Sequence, residues 1–129
     1  MNQFVNPKAS HKPLGAYSHS VKVPAGAAWL VVAGQVGINA KGKLQVGARK
    51  QAEQAFRNIL ACLKENGMAK KDLVKFTVFV TDPRHIDDYR AARKKVIGDE
   101  VQPASTLLIV DGLASPDIVI EIEAMAAKA

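Results

Sequence analysis

Cysteine is nearly absent: Cys62 is the only one in 129 residues, so no intrachain disulfide can form. That suits a reducing compartment, and a cytoplasmic location is the expectation. Aromatics are few, with one Trp, two Tyr and four Phe. They offer little for base stacking, and no RNA-binding motif is present. No apolar run approaches the roughly 20 residues of a membrane span. Met1-Asn-Gln-Phe lacks the charged-then-apolar pattern of an export signal. His11, His19 and His85 are scattered, and no His/Cys pair has zinc spacing, so no metal is expected. Repeats, low-complexity tracts and linkers are missing, and the length suits a single domain over residues 1–129.

Acidic residues are the minority, 12 against 18 Lys+Arg, for a net charge of +6. Such a field attracts small anions or nucleic acid. A solvated surface is the simpler account of most of it, and nucleic acid is not an expected partner.

What is present is best read from the end of the chain. Ser105–Val110 is almost wholly apolar, and Ile118–Ala124 alternates strictly. Turn residues Asp111-Gly112 and Ser115-Pro116-Asp117 lie between them. Ile118, Ile120, Ile122 and Ala124 share one face; Val119, Glu121 and Glu123 share the other. Two carboxylates on one face need solvent, cations or a shared proton, so this face is a candidate site.

Residues 1–16 read as an irregular arm. Ala16–Val23 alternates and Ala28–Ala33 is a buried-strand run, with the turn Pro24-Ala25-Gly26 between them predicting a hairpin. Gly34 follows the second run and permits close backbone approach, by a ligand or by another strand. Ala52, Ala55, Phe56, Ile59, Leu60 and Leu63 form one stripe of a helix from about Val46 to Asn66-Gly67. Lys50, Glu53, Arg57 and Lys64 are expected to face away from the core. Leu73–Val80 predicts a strand covered on both sides. Asp82-Pro83 opens a second helix reaching about Ile97, with Arg90, Arg93, Lys94 and Lys95 as its basic side.

The order ββαβαββ, with crossovers through both helices, predicts an α+β fold: one mixed sheet with two helices packed on one face. The other sheet face, to which Val21, Leu73, Phe79 and the 105–110 strand are assigned, is too apolar for open water. Self-association is expected to cover it.

The chain resembles the RidA/YjgF family of reactive-intermediate deaminases over nearly its whole length. The landmarks are Gly15-Ala-Tyr-Ser18, Val32-Ala-Gly-Gln35, the helix ending Asn66-Gly67, Val74–Asp82, Pro103-Ala104 before a strand, and Val119–Ala124. The resemblance implies a chorismate-mutase-like fold, a homotrimer with clefts at subunit interfaces, and hydrolysis of imines or enamines to a keto acid and ammonia without a cofactor. By position it makes Glu121 the acid/base and has Tyr17 line the cleft. The Gly34 backbone would approach the ligand. Ser105 stands where the deaminating members carry an Arg that forks onto the substrate carboxylate, with Thr106 beside it, and Ala33 stands where the family has Ser. A hydroxyl cannot supply a bidentate charged contact, so the substrate is expected to differ from 2-aminoacrylate. Arg90 falls where the family often has a cleft-lining Asn. It either replaces the lost Arg and holds a small anionic ligand, or it is a solvated or structurally paired helix residue. A binding trimer for small carboxylates, without catalysis, is the alternative function; an RNA role rests on charge alone.

Overall fold

The alternation of Ile120, Ile122, Ala124 and Ala126 with Glu121, Glu123 and Met125 makes β6 (Ile120–Lys128), a strand with one buried and one open face. In the computed structural model, which describes all 129 residues, β6 lies inside a four-stranded sheet. The sheet order is β3 (Ala28–Val36), β6, β4 (Leu73–Val80), β5 (Ala104–Ile109). β6 is antiparallel to both neighbours, and β4 and β5 run parallel through the second helix. Helices α1 (Ala48–Glu65) and α2 (Ile86–Val96) cover one face. The chain therefore has the expected α+β architecture.

The core lies between that face and the helices. Ala52, Ala55, Phe56, Ile59 and Leu63 of α1 are buried against Phe76, Val78 and Ile122. The Phe56 ring meets Phe76 edge-on at 5.4 Å and lies 5.8 Å from Tyr89 of α2, so one aromatic joins both helices to the sheet.

Three local expectations are corrected, and one strand order that the sequence left open is settled. The arm contains a strand, β1 (Gln3–Val5), and it pairs with β2 (Ser20–Lys22); β3 pairs instead with β6, so the hairpin does not form. β5 and β6 are not neighbours, because β4 separates them. Leu73 belongs to the helix-side core and Val21 to the β1–β2 ribbon; the open face is apolar through Trp29, Val31, Leu108 and Met125. Glu53 does not face away. It is buried and meets Lys95 of α2 at 3.1 Å, with Arg57 at 3.5 Å and Arg49 at 3.9 Å, pinning the helices together.

Candidate functional site

α2, the start of β5 and the segment before β2 line an open cavity of about 460 Å³. The segment is held there by backbone bonding: Ser18 N–H donates to the Pro103 carbonyl at 3.3 Å, and Ser18 bridges Ala104 in parallel. Tyr17 is thereby placed on the cavity wall. Its hydroxyl accepts from Leu14 N–H at 3.1 Å, and its ring packs edge-on against His19. Ser105 also lines the cavity, because its partner on β4 is Phe76 and both side chains point to the helix side. Arg90 reaches the cavity from α2 and forms no ion pair within the chain. Three of the residues singled out in the sequence, Tyr17, Arg90 and Ser105, are thus brought together.

Three more cavity residues went unassigned in the sequence. Tyr89, Arg93 and Lys94 all line it. Tyr89 and Arg93 are buried. The sequence signal was available: Ile86, Tyr89, Arg93 and Ile97 follow i, i+3, i+7, i+11, which puts a cation inside the apolar stripe.

Burial pushes the Tyr89 phenol above its ordinary value; a hydrogen bond with Ser105 and the charges of Arg93 and Arg90 oppose the shift without cancelling it. The folded state therefore prefers the protonated phenol. That preference is fully present below the unfolded value near 10 and is lost as pH rises through the higher folded value. The absorbance difference between wild type and Tyr89→Phe should show phenolate only well above about pH 10. Phenolate appearing in that difference spectrum at or below pH 10 would contradict the burial account.

The other singled-out residues lie on the open side of the sheet. Between the pairs Val32–Ala124 and Gln35–Ile122, Ala33 and Gly34 oppose Glu123 alone, forming a β-bulge. Glu121 pairs with Phe79 and Val36 on that face. Its carboxylate lies directly over Gly34: a Cβ built on Gly34 would fall 2.0 Å from Glu121 Oε2 and 2.8 Å from Cδ. Thr106 pairs with Thr77, points away from the cavity and accepts from Lys75 Nζ at 2.6 Å. One chain therefore presents two separate groups: Tyr17, Arg90 and Ser105 on the helix side, and Ala33, Gly34, Thr106 and Glu121 on the open face.

The family model described as Endoribonuclease L-PSP matches residues 7–128. A RutC family protein of Aquifex aeolicus is 34% identical over 130 residues, covering 99% of this chain and 100% of that protein. A 2-iminobutanoate/2-iminopropanoate deaminase of Dermatophagoides farinae is 29% identical over 91 residues, covering 69% of this chain and 66% of its own. Among solved structures, the Rid family protein YyfB from Yersinia pestis aligns with a TM-score of 0.88 at 28% identity, covering 98% of both chains. No helix is long and apolar enough to cross a membrane.

Proposed function

The chain belongs to the Rid family, matched through the Endoribonuclease L-PSP model, and on that premise we propose that it is a cofactor-free hydrolase of small imines or enamines. The observation that carries the proposal is the cavity in which an unpaired Arg90 shares the wall with Tyr17 and Ser105. Arg90 takes the substrate carboxylate that Ser105 cannot fork, by charge-assisted hydrogen bonds. Tyr17 orients the substrate or the attacking water. Water adds to the imine carbon, and the resulting carbinolamine expels ammonia to leave the keto acid. Glu121 relays the protons.

Glu121 is on the other side of its own sheet from the cavity, so the proposed site draws it, with Gly34, from a neighbouring copy in a homotrimer. The exposed apolar side chains of the open face support such an assembly: Val31 is 72% exposed, Trp29 52% and Leu108 41%. A single free cysteine, Cys62, fits the proposed cytoplasmic setting.

The test is ammonia release from a panel of freshly generated imino acids. Wild type is expected to exceed buffer, and Arg90→Ala to lose about tenfold or more in kcat/KM, the size of a lost charge-assisted contact. No acceleration over buffer for any imino acid would reject hydrolysis. The replacement of Arg by Ser105 favours a second reading, a trimer that binds small carboxylates without turnover; saturable binding with no ammonia release would select it. Sedimentation at a mass other than three chains would reject the trimer.

A further inference from the structure

The same cavity has a charged floor that the reaction above does not use. Arg93 is only 4% exposed. Its Nη1 donates to the Gly98 carbonyl at 2.9 Å and its Nη2 to the Val101 carbonyl at 2.8 Å. Those bonds tie down the segment between α2 and β5. They do not neutralise the guanidinium, and its Nε is buried with no partner at all. The chain's ion pairs involve only Glu53 and Asp82 as acids, so Arg93 has no counter-ion within pairing distance. Burial lowers its pKa, and the electrostatic effects of Tyr89 and Asp99 offset this only in part. A buried cation left without an anion is costly, and an incoming anion would relieve that cost.

The surroundings make the imbalance larger. Arg90 and Lys94 stand four residues apart on α2, line the same cavity and are both unpaired. Like charges at that spacing repel. Asp99 is the only acid of the same chain lining the cavity, so its wall carries three cations against one acid; counting the Glu121 that the proposed site takes from a neighbouring copy, three cations still face two acids, a net of +1. The apolar side chains of Leu14 and Leu107 line the same cavity. The volume of about 460 Å³ lies in the range of pockets that hold ligands much larger than a three-carbon acid.

We propose that this cavity takes a small dianion, with one carboxylate at Arg90, a second at Arg93 and Lys94, and a short carbon chain against Leu107. This rests on the reading of the cavity as the substrate site. It narrows the substrate to the imine or enamine of a dicarboxylic acid, and the bound product to the corresponding keto diacid.

The experiment is calorimetric titration of the full chain with α-ketoglutarate and with α-ketovalerate, at one ionic strength. The two probes share five carbons and the keto-acid head, and differ in the terminal carboxylate. α-Ketoglutarate is expected to bind at least about tenfold more tightly, as one added charge-assisted contact gives. Arg93→Met should bring the ratio towards one. Lys94→Ala, on the exposed side of the helix, should also lower it, and carries the mutational test if Arg93→Met does not fold. Equal affinity for the two probes in wild type overturns the dianion inference and leaves the cavity reading intact. Failure of both probes to bind overturns both. A preference unchanged in both variants overturns the assignment to Arg93 and Lys94.

Discussion

Glu121→Gln is expected to lower ammonia release by roughly 100-fold or more, the usual effect of losing a positioned proton relay. Gly34→Ala is expected to come close to it while removing no ionisable group. The reason is geometric. Gly34 does not adopt a positive φ, so its backbone accepts alanine. What it lacks is room: the Glu121 carboxylate occupies the space where a Cβ would sit, 2.0 Å from Oε2. The carboxylate is the movable end of a flexible side chain, so it is displaced and the strand remains. Stability should therefore change by less than about 1 kcal/mol, since the displaced contact is balanced by a stiffer unfolded chain. A urea midpoint near wild type with a collapsed kcat is the expected pair of measurements. Full activity in Gly34→Ala would show that the carboxylate's position over the bulge is unimportant to the reaction.

The largest loss of stability is expected from Gln51→Leu, at about 2 to 3 kcal/mol, or roughly 10 °C in Tm. Gln51 is buried in α1, on the side where Gly37 packs; a Cβ on Gly37 would lie 2.4 Å from Gln51 Cα. Its amide nitrogen donates to the carbonyls of Gln45 at 3.1 Å and Asp117 at 2.9 Å, and its oxygen accepts from Val119 N–H at 3.0 Å. Leucine fills the volume and leaves all three backbone groups unpartnered. Two of those groups lie in the segment that enters β6, two and four residues before Glu121. The third lies in the loop that follows β3, the strand carrying Gly34. The same substitution should therefore loosen the Glu121–Gly34 contact, seen as faster amide exchange at Val119 in addition to the lower urea midpoint. A midpoint within about 0.5 kcal/mol of wild type would show that water replaces the side chain at this junction.

Helix boundaries were legible because their signals are local. The stripe from Ala52 to Leu63 and the Asn66-Gly67 stop placed α1; Asp82 accepts from Arg84 N–H at 2.8 Å as a cap should, but it caps a 3-10 turn, Pro83–His85, and α2 starts at Ile86, three residues later than Pro83 suggested. Alternation also separated Ile120 and Ile122 from Glu121, and it set Ser105 and Thr106 on opposite faces of β5. The basic side of α2 was harder to sort. Composition placed Arg90, Arg93, Lys94 and Lys95 together. In the structure Lys95 pairs with Glu53, Arg93 is buried on two carbonyls, and Arg90 and Lys94 line a cavity. Charge alone does not distinguish these fates, because each depends on what α2 packs against.

The sequence by itself determined the two helices, the main strands, the α+β class, the family resemblance and the candidate residues, which it read as one site. The elements follow from periods of two and 3.6 residues and from turn chemistry, which act over a few neighbours, whereas the family and the residue roles came from the resemblance of the motifs. Tertiary structure decided the pairing of β3 with β6, the insertion of β4 between β6 and β5, and the separation of Glu121 from Arg90 across the sheet. Strand pairing joins residues far apart in the chain, such as Trp29 and Ala127, and no local pattern specifies which strands will meet. Which face of α2 is buried was decided in the same way, and it left Arg93 inside the protein on the Gly98 and Val101 carbonyls without a counter-ion.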